Sequence, residues 1–287
     1  MTEEPKYIKS PLNYTGGKYK ILSSILPFFP KEINTFIDIF GGGFNVGINI
    51  NAKKIIYNDH IPYLKEMFLF FKETDINLIL EQIKKRIYEF DLNEQNAQGY
   101  ANLRKEYNQN QNILDLFLLT CYSFNHQIRF NNKHEFNTPF GKNRSAYNCA
   151  IECNLTAFAE GLKTKNIEFF SEDFSFIRNY NFEKNDFLYA DPPYLISNAA
   201  YNDGKRGFKN WTQKEDKELI NLLDFLNSKK VKFLLSNVFV HKGLKNENLI
   251  EWSKKYHVQF INKDYKNCSY HLKEKSSQTI EVVIYNY

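Results

Sequence analysis

The run Phe187-Leu188-Tyr189-Ala190, followed at once by Asp191-Pro192-Pro193-Tyr194, constrains this chain more than any other segment. Four apolar residues in a row suit a strand buried on both faces. Neither proline can donate a backbone N–H, so the ladder has to end there. The prolines also hold φ, which sets the direction of the Asp191 and Pro192 carbonyls. The result is a stiff pair of acceptors, a carboxylate and a backbone carbonyl, at the carboxyl end of a strand beside an aromatic ring. Such a corner suits an exocyclic amino group on a flat base. Taken alone, Pro-Pro after a strand is also an ordinary loop, so the rest of the chain has to decide.

Both ends of the chain alternate strand and helix. Strands are expected at 34–40, 53–58, 167–170, 186–190, 231–236, 257–262 and 279–285, and helices at 213–227 and 243–255. This alternation points to an α/β fold with a mostly parallel sheet and helices on both faces. The middle differs. From about 61 to 122 the apolar spacing is helical, as in Ile76 to Ile87. Ile113 to Leu119 reads as a buried helix or strand, and its flanks favour helix. Residues 124–148 are polar, rich in Asn, with basic residues and Phe interspersed, and a loop of that length is more often functional than idle. The expected organisation is a domain formed by 1–60 and 165–287, with a helical domain, 61–164, set into it.

Gly41-Gly42-Gly43 follows the strand ending at Phe40, with a helix expected to begin near Asn45. Glycines there let the backbone turn tightly and approach a ligand. The spacing is not G-x-G-x-x-G, and no Gly-Lys-Ser/Thr follows, which disfavours a dinucleotide oxidoreductase and a triphosphate site. Asp59 ends the next strand, where an acidic residue either accepts from ribose hydroxyls or caps the helix starting near Ile61. Tyr14-Thr15-Gly16-Gly17-Lys18 precedes an apolar helical stretch. Its lysine either meets a carboxylate or simply begins a basic helix.

The formal net charge of +5 permits an anionic partner without demanding one. The four cysteines form no CxxC pair, so neither a zinc site nor a disulfide framework is expected. No apolar run reaches the ~20 residues of a membrane helix, and the first residues are unlike a signal peptide. A reducing cytoplasm, no metal and no membrane are the expectations.

These pieces occur in one order: Tyr14 to Lys18, Phe36-Ile37-Asp38-Ile39-Phe40 with its glycines, Tyr57-Asn58-Asp59, a helical insert, and Asp191 to Tyr194. That order resembles the Dam-type DNA adenine-N6 methyltransferases of the alpha group, which include bacterial and phage GATC enzymes. The resemblance runs nearly end to end. It takes in Asn137-Thr138-Pro139-Phe140-Gly141-Lys142, Leu235-Ser236-Asn237, Ser276-Ser277 and the strand from Glu281. It implies a Rossmann-like, mostly parallel seven-stranded sheet that binds S-adenosylmethionine (SAM). It places Tyr14, Lys18, Asp38, Phe40, Gly41, Gly43, Asp59, Asp173, Phe174 and Asp191 at the cofactor, and gives catalysis to Asp191, Pro192 and Tyr194. Phe124, Gln127, Arg129, Asn131, Pro139, Lys142 and Arg144 fall on its DNA-reading surface, Arg129 on an arginine that reads guanine. Two departures stand out. Relatives end the motif Gly-Lys-Arg where this chain has Gly141-Lys142-Asn143-Arg144, and Asn125-His126-Gln127 replaces the usual start.

The implied reaction moves a methyl group to N6 of an adenine flipped out of duplex DNA, within a site expected to be GATC. The enzyme is expected as a monomer or weak dimer. Methylation of cytosine N4 or of RNA adenine is the nearest alternative, because the same corner suits any aromatic amine. A DNA-binding module with a relic pocket is disfavoured by the retention of Tyr14, Lys18, Asp59 and the whole Asp-Pro-Pro-Tyr motif.

Overall fold

A computed structural model describes residues 7–196, 211–261 and 279–287. Among the described residues eight strands form one sheet: β1 Thr35–Asp38, β2 Lys54–Asn58, β3 Ile167–Phe170, β4 Phe187–Ala190, β5 Lys232–His241, β6 Leu244–Lys245, β7 His257–Ile261 and β8 Thr279–Tyr285. The order is β3-β2-β1-β4-β5-β8-β7, with the two-residue β6 hanging from β5. Strands β3 to β5 along that path run parallel, and β8 is antiparallel to both β5 and β7. The chain winds outward one way from β1 through β2 to β3, then crosses back to β4 and continues to β5. Its switch point therefore lies between β1 and β4, where α/β sheets bind ligands beyond the strands' carboxyl ends.

Period-two alternation sorts the strand residues onto two cores. Phe36, Ile55, Tyr57, Phe187 and Tyr189 face one side, while Ile37, Ile56, Leu188 and Ala190 face the other. The second face is covered by α7 Gln213–Ser228 and α8 Glu247–Ser253, which bring Leu219, Leu222, Leu223 and Trp252. The start of α7 is fixed by a capping box between Thr212 and Glu215. The first face is covered by the middle of the chain. Helices α2 Pro62–Glu73, α3 Ile76–Glu89, α4 Ala97–Asn110, α5 Ile113–Tyr122 and α6 Cys149–Lys163 follow the short α1 Leu22–Ile25. Phe68 of α2 and Phe158 of α6 pack in one continuous cluster with Tyr57 and Phe44. The helical middle and the sheet thus share a core rather than each having its own. Apart from its first residue, α5 is buried throughout, in keeping with its all-round apolar sequence.

Two expectations are corrected. No α-helix follows the glycines: Gly47–Asn49 is a single 3₁₀ turn. There Asn45 and Asn49 spend their side chains on backbone. Asn45 accepts from Ser10 N–H at 3.0 Å, and Asn49 exchanges two bonds with Ile8 at 2.8 Å each. Such bonds compete with helix formation. Residues 243–246 are also not helical. Lys242 and Gly243 both have positive φ, at 48° and 82°, and make a tight turn that returns as β6. Asn246 then caps α8 by accepting from Leu249 N–H at 3.1 Å. Strand β5 also runs on to His241, past the expected end at 236. Ser276 and Ser277 lie outside the described residues. Among the described residues no helix is long and apolar enough to cross a membrane, and no cluster of three or more His, Cys, Asp or Glu is placed to hold a metal.

Candidate active site

A cleft opens at the switch point, and every residue expected at a cofactor or in catalysis lines it: Tyr14, Lys18, Asp38, Phe40, Gly41, Gly43, Asp59, Asp173, Phe174, Asp191, Pro192 and Tyr194. The glycine loop is pinned by four bonds. Gly41 N–H donates to Asn58 O at 2.8 Å, Phe44 N–H to Gly41 O at 2.7 Å, Gly42 N–H to Asp59 Oδ2 at 2.9 Å, and Tyr57 OH to Gly42 O at 2.9 Å. Gly42 has φ +47°, and a Cβ at Gly41 would stand 2.3 Å from the Tyr57 ring. Glycine is required at 41 by that contact and favoured at 42 by its backbone.

Asp59 bonds the backbone on both sides of the cleft's floor, and the Ile61 bond is the one expected of it ahead of a helix. Its Oδ2 holds the glycine loop, while its Oδ1 accepts from Ile61 N–H at 3.0 Å, ahead of α2. Burial pushes its carboxyl up to about 6, against the pull of those two N–H groups. Asp38 is more deeply enclosed, at 2 % exposure, and its Oδ1 has no hydrogen-bond partner. Burial, with Asp191 and Asp59 as like charges nearby, pushes it well above the usual carboxylate range. A buried acceptor without a donor is costly, and a bound donor would satisfy it.

At the other end of the cleft, Lys18 is 4 % exposed. Its Nζ lies 2.7 Å from Asp191 Oδ2 and 3.9 Å from Glu281 Oε1, and donates to Gly16 O at 3.1 Å. Tyr194 OH donates to Asp191 Oδ1 at 3.2 Å, and Lys18 Nζ sits 5.1 Å over the Tyr194 ring. Burial raises the Asp191 carboxyl while Lys18 opposes the rise. Both oxygens of the strand-end carboxylate are therefore engaged, one by a cation and one by a phenol. Glu281, buried on β8, is a residue of this group that motif spacing assigned no role.

The third side is aromatic. Phe40 meets Phe174 at 5.4 Å and Trp211 at 5.5 Å between ring centroids, and Phe174 meets Trp211 at 5.8 Å. Asp173 caps the turn carrying Phe174 by accepting from Ser175 N–H at 3.1 Å. Trp211 was missed from sequence. Its only signal is an aromatic immediately before the Thr212 cap.

The loop residues expected to face DNA lie apart from this cleft. Phe124, Gln127, Pro139, Lys142 and Arg144 are exposed, and Arg129 and Asn131 half-buried. Arg144 lies over the Phe124 ring at 4.9 Å. Two antiparallel bridges, Ser123 with Phe140 and Phe130 with Phe136, fold the segment on itself. Asn13, next in sequence to Tyr14 of the cleft, meets this segment by donating to Asn125 O at 3.4 Å.

A mostly parallel sheet in this order, with a glycine loop and a ring-lined cleft at its switch point, is the methyltransferase fold. Residues 14–274 match the D12 class N6 adenine-specific DNA methyltransferases, and the chain belongs to that family. It is 48 % identical over 281 residues to the type II methyltransferase M.FokI of Planomicrobium okeanokoites, covering 98 % of this chain and 43 % of the relative. Modification methylase StsI of Streptococcus sanguinis is 47 % identical over 284 residues, again 98 % of this chain and 43 % of the relative. A DNA adenine methylase of Haemophilus influenzae is 30 % identical over 198 residues, 67 % of this chain and 66 % of the relative. The chain thus spans less than half the length of the first two.

Proposed function

We propose that this chain transfers a methyl group from SAM to N6 of an adenine rotated out of duplex DNA. The observation that carries the reading is the corner at Asp191: a proline-stiffened carboxylate, paired to a buried lysine, in one cleft with the glycine loop. SAM supplies an electrophilic methyl on a sulfonium. Asp59 would hold ribose hydroxyls, the aromatic trio of Phe40, Phe174 and Trp211 would flank the adenine ring, and the loop at Gly41 to Gly43 would admit the methionine part. The Asp38 Oδ1, which has no partner, suits an ammonium or another donor, so the residues present fit the cofactor.

The adenine amine is a weak nucleophile because its lone pair is delocalised into the ring. Asp191 and the Pro192 carbonyl would accept its two N–H bonds and turn the lone pair toward the methyl. For that, Tyr194 gives up its bond to Asp191 Oδ1 and moves its ring to the face of the base. Lys18 keeps Asp191 oriented and opposes the upward shift that burial imposes on it. As N6 gains the methyl, the methyl's bond to sulfur breaks, and N6 then sheds one proton by way of Asp191 to solvent; placement and fixed charge supply the rate, and no covalent bond to the protein forms. Taking the base out of the stack is how enzymes that modify bases reach them.

The surface formed by Phe124, Gln127, Arg129, Asn131, Pro139, Lys142 and Arg144 reads the duplex, with residues 61–164 as the recognition part and 1–60 with 165–287 as the catalytic part. The chain works in the cytoplasm as a monomer or weak dimer. GATC is the first sequence to test. Single-molecule sequencing of DNA from cells expressing the chain maps the methylated positions. N6-methyladenine in one short motif supports the reading, and unmodified adenines throughout refute it.

A further inference from the structure

Arg129 is gripped from one side. Its Nε donates to Asn137 Oδ1 at 3.0 Å, its Nη2 donates to Asn137 O at 3.1 Å, and Asn137 N–H donates back to Arg129 O at 2.9 Å. A guanidinium carries five N–H bonds in one plane. This grip uses the edge shared by Nε and Nη2 and leaves the end-on edge of Nη1 and Nη2, the one that matches guanine O6 and N7. Both acceptors belong to a neutral residue, so the cation keeps its full charge for a partner. Glu135, the nearest carboxylate in the loop's sequence, is bonded to Asn131 instead, at 2.8 Å.

Asn137 is itself held from below. Asn108 of α4 exchanges two bonds with Phe136, donating to its carbonyl at 3.2 Å and accepting from its N–H at 2.7 Å. Tyr100 of α4 donates to Thr138 O at 2.8 Å. The residues on either side of Asn137 are thus clamped to a packed helix, and Phe136 and Thr138 are 1 % exposed. We infer that Asn137 is a positioning residue for sequence choice, transmitting the fixed geometry of α4 to Arg129 so that the guanidinium meets its base already oriented. Without it, a side chain rich in rotamers has to be ordered at each encounter, and the wrong base is rejected less sharply.

The inference rests on the reading of Arg129 as a base contact, and the test separates the two. Methylation rates are measured on the mapped duplex and on duplexes changed at one base pair each, for wild type, Arg129→Ala, Asn137→Ala and the double variant. Arg129→Ala abolishes discrimination at one G·C pair. Asn137→Ala lowers discrimination at that same pair by about 3- to 10-fold, the size expected for losing the pre-ordering of one side chain. It adds nothing in the Arg129→Ala background. Asn137→Asp, which keeps both acceptors, restores discrimination at that pair, while its added charge slows methylation of every duplex alike. A merely structural role predicts instead an equal loss on every duplex, additive with Arg129→Ala, and that outcome overturns the inference. So does an Asn137→Ala enzyme that discriminates like wild type while Arg129→Ala does not. Unaltered discrimination in Arg129→Ala overturns the base-reading role itself, and this inference with it.

Discussion

Asp59 links charge state to binding in a way that can be measured. Burial pushes its carboxyl to about 6, from the ordinary 3.8. If the ionised carboxylate accepts from ribose hydroxyls, the cofactor binds only the ionised fraction. With a value of about 6, that fraction is about tenfold larger at pH 7 than at pH 5. Calorimetric titration with S-adenosylhomocysteine is expected to give a Kd about tenfold weaker at pH 5 than at pH 7, nearly flat above about pH 7. Asp59→Asn is expected to flatten that profile and to weaken binding about tenfold or more at pH 7. Asp38 lines the same cleft, and the variant separates its titration from that of Asp59. The sign for stability runs the other way. A folded-state value above the unfolded one costs nothing below about pH 4, costs more through pH 4–6, and reaches on the order of 3 kcal/mol above about pH 6 in the ligand-free protein. An affinity that does not change between pH 5 and 8, or a pH slope in Asp59→Asn equal to that of wild type, refutes the reasoning.

Lys18→Met removes one partner of a largely buried ion pair, an injury of about 3–5 kcal/mol. The lysine opposes the upward shift of Asp191, so the shift grows in the variant. The deficit, read by urea denaturation, is therefore expected to be small near pH 4 and to increase toward pH 8, and a pH-independent deficit counts against the pairing. The chain has two tryptophans, Trp211 in the cleft and Trp252 on the buried face of α8. Cofactor binding is expected to change Trp211 emission and leave that of Trp252 unaltered. Trp211→Ala should weaken binding about 3- to 10-fold, the worth of one aromatic contact, and an unchanged Kd removes Trp211 from the cofactor pocket.

The sheet was legible because buried strands write short apolar runs ended by prolines, glycines or polar residues. Phe187 to Ala190 stops at Pro192 just as the chemistry of proline demands. The cleft was legible because its residues sit at the ends of those strands, where local rules place them. The segment after the glycines was not, since apolar Val46, Ile48 and Ile50 fit a helix as well as the irregular turn that Asn45 and Asn49 impose through contacts with residues 8–10. The Lys242-Gly243 turn was overlooked because a helical pattern resumes just after it. Residues joined only in three dimensions were the least visible. Glu281 is far from Lys18 in sequence, and Asn137 meets Arg129 across a folded loop whose bridges no periodicity announces.

The central claim is that the corner at Asp191 aims an adenine amine at a methyl donor. Its most direct test is mass spectrometry of nucleosides after duplex DNA is incubated with the purified chain and SAM carrying a deuterated methyl. The account predicts label on N6-methyladenine alone, and none with folded Asp191→Ala protein. Label on cytosine, or wild-type turnover by Asp191→Ala, contradicts it.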